Sequence, residues 1–268
     1  MEPIGLAVSL VGLFDTAVDC FRYVKVAKAF GTDFQTTVLQ LDNAQLRLSR
    51  WGVAVGLGPG RTTTLASTSI PAHDVEHAER LLGQIGNVFR QAEDTSKQYR
   101  VRHGSQDVVE FDALLAPEGL QLHKRMLSIC DQRRNNTSLG KKIKWAIYKK
   151  DHFRGLANDI EKLVQDLVEL FPATQQVQRK LCDQEAAILR DSGALSTLLD
   201  IAKASDIPLA EAIARLAEQN VRFLPQLQSP QLTVSQATPT RGMIYNYDNT
   251  KVMNQVNGHQ NIGSQTIS

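Results

Sequence analysis

Cysteine is scarce in this chain of 268 residues. The three cysteines, Cys20, Cys130 and Cys182, are odd in number and far apart in sequence. This spacing excludes a disulfide framework and the paired cysteines of a zinc site. A chain without disulfides suits a reducing compartment, so the sequence predicts a cytoplasmic protein.

An excess of one charge sign and a long apolar run are also lacking. The formal net charge is +2, which is too close to neutral for a dedicated nucleic-acid binder. No stretch reaches the roughly 18 uninterrupted apolar residues typical of a transmembrane helix. The acidic start Met1-Glu2-Pro3 lacks the basic region of a secretory signal. We also find no glycine-rich phosphate loop, no βαβ alternation and no internal repeat.

The sequence contains one short pattern that matches a catalytic motif. His73, Glu76 and His77 match the H-x-x-E-H spacing of one zinc-peptidase class. The pattern opens a helix after Pro71, where acidic residues are expected from the helix dipole, and no third ligand stands out. We therefore expect a solvated first turn, with no metal, no cofactor and no enzymatic activity.

Apolar residues at three-and-four spacing predict helices along most of the chain, most clearly from Val75 to Ala92. Another helix follows a cap at Thr32, and the patch from Val108 to Phe111 predicts an isolated strand. The remaining helices are predicted at about 118–131, 138–150, 154–171, 174–189, 194–203 and 207–219. The predicted fold class is all-α: a multi-helix bundle over residues 1–222, with room for one short β-hairpin.

The N-terminal run from Ile4 to Phe14 is apolar except for Ser9. At helical spacing its small and polar residues form one narrow stripe. The members of the stripe are Gly5, Ser9, Gly12, Thr16 and Asp19. The surrounding apolar surface includes Leu6, Leu10, Leu13 and Phe14. Two interpretations stay open: a core helix of a resting bundle, and a latent membrane segment.

A membrane role would need several copies. The 20 residues from Ile4 to Tyr23 are long enough to cross a bilayer. Asp15 would lie near the middle, where an acid costs about 2.5–3.5 kcal/mol, so insertion of a single helix is disfavoured. In an assembly, Asp15 and Asp19 would face a water-filled lumen, and the spacing of Gly5 and Ser9 allows close helix approach.

A basic segment extends from Arg133 to Lys150, with seven Lys and Arg residues and no acid. Nucleic acid is one partner for such a segment, and an anionic membrane surface is another. The third interpretation is a solvated helix whose apolar side packs inward. That side comprises Ile143, Trp145, Ala146 and Ile147.

The composition changes after the predicted bundle. Residues 223–240 contain three prolines, four glutamines and no charge, which predicts an extended linker.

Residues 241–268 contain five Asn, three Gln, three charges and no Pro, with β-forming residues throughout. This composition favours stacked in-register strands, so we predict a tail that is disordered alone and forms amyloid with identical copies. A polar terminus without a function is the alternative. The predicted amyloid motif comprises Tyr245, Asn246, Val252, Asn254, Gln255, Val256, Asn257, Gly258, Gln260, Asn261, Ile262 and Gly263.

Several strings together resemble the HeLo domain of fungal heterokaryon-incompatibility proteins. They are residues 12–24, 30–31, 46–52, 137–148 and 163–172, and the resemblance covers about residues 1–220 in order. It implies a mostly helical domain that can dimerise, followed by a prion-forming tail. In toxic members, amyloid formation by the tail destabilises the helical domain and releases the N-terminal segment into the cell membrane. A NOD-like receptor with a matching motif can template such tails, and the resemblance implies no nucleic-acid partner.

The tail departs from the best-known member of that family, whose prion domain has two homologous repeats. Residues 252–263 resemble instead the single motifs of sigma or pseudo-palindromic type. They are also loosely similar to the RIP homotypic interaction motif through Val256, Gly258 and Asn261. A non-toxic inhibitory partner, or a helical adaptor whose tail only mediates assembly, stays open as an alternative to a pore-forming effector.

Overall fold

The computed structural model describes residues 3–22, 24–30, 34–59, 71–103, 107–134 and 145–223. For residues 3–9, 29, 103, 145 and 219–223 it describes the backbone only. The described residues all belong to the first of two units into which the chain divides, residues 1–227. The predicted linker and tail lie outside the described residues, apart from the start of the linker at Phe223.

The described residues form eight α-helices. Their bounds are α1 Pro3–Phe21, α2 Gln35–Ala54, α3 Ala72–His103, α4 Pro117–Gln132, α5 Lys150–Glu169, α6 Gln175–Leu189, α7 Leu195–Ser205 and α8 Ile207–Phe223. Pro117 occupies the first turn of α4, where its missing N–H leaves no bond unmade. Gly193 has a φ of 74° and makes the turn between α6 and α7, a conformation that favours glycine. The all-α prediction is confirmed.

A small mixed sheet joins three distant segments. Its strands are β1 Val24–Ala27, β2 Val108–Val109 and β3 Trp145–Ile147, in the order β2-β1-β3. β1 is antiparallel to β2, with Val26 opposite Val109, and parallel to β3, with Val26 opposite Ile147. The sheet therefore ties the end of α1 to the segment that leads into α5.

Two details of the predicted secondary structure are wrong. The anticipated hairpin is absent from the described residues, because β1 and β2 come from segments about 80 residues apart. The helix predicted over 138–150 is contradicted at residues 145–147, which form β3; residues 138–144 and the predicted cap Thr32 lie outside the described part. Trp145 and Ile147 are good strand formers, and pairing with β1 decides their conformation. The strand at Val108 is confirmed, although it is paired rather than isolated.

The core consists of two clusters that meet at α2. One lies between α1, α3, α5, the sheet and one side of α2, where Trp51 is buried. The other lies between α4, α6, α7, α8 and the opposite side of α2, where Leu46 is buried. From Leu41 to Gly52 every residue of α2 is buried, including the charged side chains of Asp42, Arg47 and Arg50. A helix in this position must pair its charges with neighbouring helices, since an unpaired buried charge is strongly unfavourable.

Candidate functional site

The apolar face of α1 is buried in the resting domain. Leu10, Phe14, Ala17, Val18 and Phe21 are each at most 4% exposed, and α1 packs on α3 and α2. Burial of the larger side chains stabilises the resting position by about 1.5–3 kcal/mol each. The predicted apolar surface is thus buried at Leu10 and Phe14, and half-buried at Leu13.

Aromatic rings and one glycine fit α1 against its neighbours. The ring of Phe14 lies 6.2 Å from that of Trp51, and Phe21 meets Phe89 edge to face at 5.1 Å. A Cβ atom on Gly52 would lie far inside van der Waals contact with Cζ of Phe14. Gly52 therefore provides the space that the Phe14 ring occupies.

The end of α1 is fixed to the end of α4 by two ion pairs. Nη1 of Arg134 lies 2.8 Å from Oδ1 of Asp19, and Nη1 of Arg22 lies 2.8 Å from Oδ1 of Asp131. All four side chains are partly exposed, at 16% to 44%. Solvent screens such pairs, so their contribution is small beside that of the buried apolar face.

The small-residue stripe of α1 faces away from the core where its side chains are described. Gly12 and Thr16 are exposed, and Asp19 is half-buried against Arg134. The hydroxyl of Thr16 donates to the carbonyl oxygen of Gly12 at 2.7 Å. A Cβ on Gly12 would meet nothing within 4 Å, so this face can carry a larger residue without disturbing the domain.

The other residues of the predicted membrane segment are partly or fully buried at rest, or their side chains lie outside the described residues. Asp15 is 7% exposed and Asp19 is half-buried, so neither acid is freely exposed at rest, although their spacing of four residues puts them on neighbouring positions of α1. The side chains of Ile4, Gly5, Leu6 and Ser9, and the whole amyloid motif, are outside the described residues. No helix in the described part of the chain combines the length and apolar character needed to span a bilayer.

The basic segment contributes to structure at both of its described ends. Arg133 contacts Glu185 in the interior, and Arg134 contacts Asp19. Ile147 and Tyr148 are buried in the first core cluster, as the inward-packing interpretation expects for Ile147, although in a strand instead of a helix. Residues 135–144 lie outside the description.

A buried ionic network on α2 escaped the sequence analysis. The Arg50 guanidinium donates to both carboxylate oxygens of Glu185 and both of Asp206, at 2.6–3.0 Å. Those two acids raise the pKa of Arg50 against the opposing effect of burial. Glu185 also accepts from Arg133. The available signal was that the charges of α2 alternate with apolar residues on all sides of the helix, as in Leu46-Arg47-Leu48.

A second buried pair joins α2 to α4. Nδ1 of His123 lies 2.7 Å from Oδ2 of Asp42, and Nε2 lies 3.5 Å from Oδ1 of Asp112. Burial by itself lowers the pKa of His123, but the charge of Asp42, the hydrogen bond to it and the charge of Asp112 outweigh burial and raise that pKa above 6.5. Two carboxylates facing its ring nitrogens thus favour the protonated form of His123.

The candidate metal and thiol groups show no reactive arrangement. His73 and His77 are exposed in the first two turns of α3, and His73 contacts only the neighbouring Asp74 among the ion pairs of the described residues. No group of three His, Cys, Asp or Glu in the described part of the chain has a metal-binding arrangement. Cys20, Cys130 and Cys182 are buried, and burial raises the pKa of each thiol to about 12.

This helical arrangement, with α1 packed on α2 and α3, matches a known family. The model of the HeLo family, described as acting in prion inhibition and propagation, matches residues 4–198. The chain belongs to the HeLo family. The match includes α1, the buried charges of α2 and the His123 pair, and ends within α7.

Curated relatives and solved structures agree with the HeLo assignment. The chain is 34% identical over 218 residues to heterokaryon incompatibility protein s of Podospora anserina, covering 80% of this chain and 74% of the relative. It is 33% identical over 215 residues to heterokaryon incompatibility protein S, covering 80% and 73%. The solved HET-s N-terminal domain superposes with a TM-score of 0.68 at 32% identity, covering 79% of this chain and 98% of that one. A double mutant of that domain gives 0.67 at 31% identity. The predicted resemblance is confirmed.

Proposed function

We propose that this HeLo protein is a non-enzymatic cell-death effector of heterokaryon incompatibility. Its tail assembles into amyloid, on identical copies or on a NOD-like receptor that carries a matching motif. Assembly destabilises the helical domain, which can dimerise at rest, and releases α1 from its packing. Released copies of α1 insert together into the cell membrane and form a pore, so the protein moves from the cytoplasm to the membrane.

The resting position of α1 is the observation that carries this proposal. Its apolar face, including Leu10 and Phe14, is buried against α2 and α3, while Gly12 and Thr16 are exposed. A helix with one apolar face and one small-residue face remains packed on the domain as long as the apolar face is buried. Once released, it has one face for lipid and a narrow small-residue face for contact with other copies.

Release needs a trigger because the apolar contacts of α1 are extensive. Leu10, Phe14, Val18 and Phe21 together represent several kcal/mol of burial that only a membrane or another apolar surface can replace. The acids of α1 oppose insertion of a single copy. Assembly of several copies reduces that cost if Asp15 and Asp19 face a shared lumen.

The principal rival is a non-toxic inhibitory partner or a helical adaptor. Its tail would assemble in the same way, but α1 would stay a core helix throughout. Relatives named s and S match this chain almost equally well, at 34% and 33% identity. The experiment must therefore separate membrane activity from tail assembly.

The decisive variant is Gly12→Leu. Nothing lies within 4 Å of a Cβ at Gly12, so we expect the domain to fold, with a thermal midpoint about 2–4 °C higher because leucine favours a helix over glycine. The added side chain fills the narrow face that copies of α1 would share, so seeded leakage of liposomes should fall by at least about fivefold.

Gly83→Leu is the matched control, because Gly83 lies within α3 and its Cβ would also meet nothing within 4 Å. It should leave leakage unchanged. Deletion of residues 2–22 should abolish leakage while tail fibrils still form. Leakage by the deletion variant at the level of the full chain would show that α1 is only a core helix.

A further inference from the structure

The buried charges around α2 do not balance. Three guanidinium groups, on Arg47, Arg50 and Arg133, lie in this network with two carboxylates, on Glu185 and Asp206. All four oxygens of these acids accept hydrogen bonds from Arg50 or Arg133. One positive charge is left in excess, and it belongs to Arg47.

Arg47 lacks a countercharge in contact with it. The side chain is 4% exposed, and its Nη2 donates to Oε1 of Gln165, which is a neutral amide. The other terminal nitrogen, Nη1, is buried and has no acceptor in the described part of the chain. Burial lowers the pKa of Arg47, more than the charges of Asp206 and Glu161 raise it. A guanidinium keeps its proton in a protein, so this position favours an added anion.

Arg47 lines a cleft of about 710 Å³ between α2, α5, α6 and the junction of α7 with α8. A cleft of this size suits a small organic molecule, since ligand sites commonly enclose about 300–1,000 Å³. Two further cations, Lys162 and Arg179, are exposed at the same cleft. Arg47 is thus the buried end of a cleft that also carries Lys162 and Arg179 nearer to solvent.

Carboxylates line the cleft as well. Asp206 is used by Arg50, Glu169 accepts from Gln165, and Glu211 lies 3.9 Å from Arg215. Glu161, which is half-buried, acts on Arg47 only at a distance among the interactions described. An anion at Arg47 therefore displaces no carboxylate that is in contact with it.

We propose that this cleft binds a small phosphorylated molecule, with a phosphate oxygen accepting from Nη1 of Arg47 and with Lys162 and Arg179 near its outer charges. Phosphate fits better than a single carboxylate, because it offers several acceptor oxygens and more negative charge to three cations. The site lies among α2, α5, α6 and α8, away from α1, and it does not depend on the membrane proposal.

Pyrophosphate is a suitable probe for the full chain. Its addition should raise the thermal midpoint in a saturable way, because a ligand that binds the folded state stabilises it. Sodium chloride at equal ionic strength is the reference, and citrate tests whether a carboxylate ligand suffices. A response to citrate without one to pyrophosphate, or no saturable response to either, would overturn the proposal.

Substitution of Arg47 locates the binding. Arg47→Gln should raise the apparent dissociation constant for pyrophosphate at least about tenfold, because the variant lacks the guanidinium that donates to the phosphate. Arg102→Gln removes the same charge from an exposed position on α3 and should leave that constant unchanged. Equal affinity in the Arg47 variant and the unchanged chain would place binding elsewhere and refute the assignment.

A charge exchange tests the same point in a variant that keeps Arg47. Gln165→Glu together with Glu169→Gln moves one carboxylate onto the partner of Arg47 without altering net charge. This variant should melt at a higher temperature in buffer without multivalent anions, and its response to pyrophosphate should disappear. A pyrophosphate shift of the original size would refute the proposal even if Arg47→Gln does not fold.

Discussion

Phe14 and Gly52 are in contact across the interface of α1 and α2 in a way that leaves no room for a β-carbon. The ring of Phe14 is fully buried and also packs on Trp51, so it cannot move aside freely. The exchange of one hydrogen for a methyl group at Gly52 is therefore a sensitive probe of how tightly α1 is held.

We expect Gly52→Ala to destabilise the domain by about 1–3 kcal/mol, which is typical of overpacking in a core. Gly83→Ala is the control: with open space at its Cβ, it should stabilise α3 by up to about 1 kcal/mol. Urea unfolding of both variants measures the difference. Loss of stability at Gly83 and none at Gly52 would contradict the contact.

His123 makes stability depend on pH. Its folded-state pKa is raised above 6.5, so its stabilising effect is complete below pH 6.5 and is lost as pH rises through the folded value. We expect the free energy of unfolding to fall from pH 6.5 upward. His123→Gln should remove this dependence, and His77→Gln, at an exposed position, should keep it. Denaturant titrations at several pH values test this, and equal slopes in all three proteins would contradict it.

At the residue scale, the sequence predicted apolar burial better than polar pairing. The periodicity of α1 separated Leu10 and Phe14, which are buried, from the stripe that contains Gly12, which is exposed. Nothing in the sequence paired Arg50 with Glu185 and Asp206, which lie 135 and 156 residues away. Periodicity indicates which side of a helix is buried, but a partner for a buried charge depends on the packing of whole helices.

At the scale of elements, the junction of α1 with α4 rests on ion pairs as well as apolar packing. The pair of Asp19 with Arg134 is more buried than that of Arg22 with Asp131, so it should contribute more. Both lie where α1 must separate from α4 if the proposed release takes place. Ionic strength should therefore influence that release.

A double-mutant cycle with Asp19→Asn and Arg134→Gln should give a coupling energy near the upper end of about 0.2–1 kcal/mol. The exposed pair of Asp200 with Lys203 on α7 serves as the control and should give about 0.3 kcal/mol or less. Chemical unfolding at low and high salt measures both. Coupling no larger than the control would mean that this pair does not hold α1.

The single mutant Asp19→Asn of this cycle also tests whether Asp19 faces the lumen of the proposed pore. Asp19→Lys would place a cation beside Arg134 at rest and so change release as well as ion selectivity. Asp19→Asn avoids that repulsion. A change in the selectivity of conducting channels with Asp19→Asn would place this residue in the lumen.

Elements with strong periodicity were predictable, whereas the sheet was not. α4, α6 and α7 lie within two residues of their predicted bounds because each has a clear apolar face and a proline or glycine nearby. β1 is only four residues long, and β3 lies in a sequence that also suits a helix. Both segments are strands because they pair with each other. That pairing joins residues far apart in sequence, so a local pattern does not reveal it.

At the scale of the whole molecule, the proposed tail assembly would act on the helical domain through the predicted linker. We expect a peptide of residues 241–268 to form fibrils with a spacing of about 4.7 Å between strands. Val256→Pro or Ile262→Pro should abolish them, because proline removes a hydrogen-bond donor and cannot lie in a central strand. The same changes in the full chain should abolish seeded leakage without altering the thermal midpoint.

Thr266→Pro, close to the end of the chain and outside the predicted motif, is the control and should permit fibrils. X-ray diffraction of the aligned fibrils and a dye-binding assay give the readout. A peptide that stays monomeric at high concentration, even with seeds, would refute the amyloid proposal and favour the adaptor.

The parallel pairing of β1 with β3 has a consequence for synthesis. Residues 24–26 cannot find their partners at 145–147 until about 120 further residues have left the ribosome. At about 5–20 residues per second, that interval lasts roughly 6–24 seconds. During it, the apolar face of α1 is in the nascent chain before the domain that buries it is complete. The helices that cover this face, α2 and α3, end at Ala54 and His103 and so leave the ribosome before β3. The pairing of β1 with β3 can therefore form only after all three helices have been synthesised.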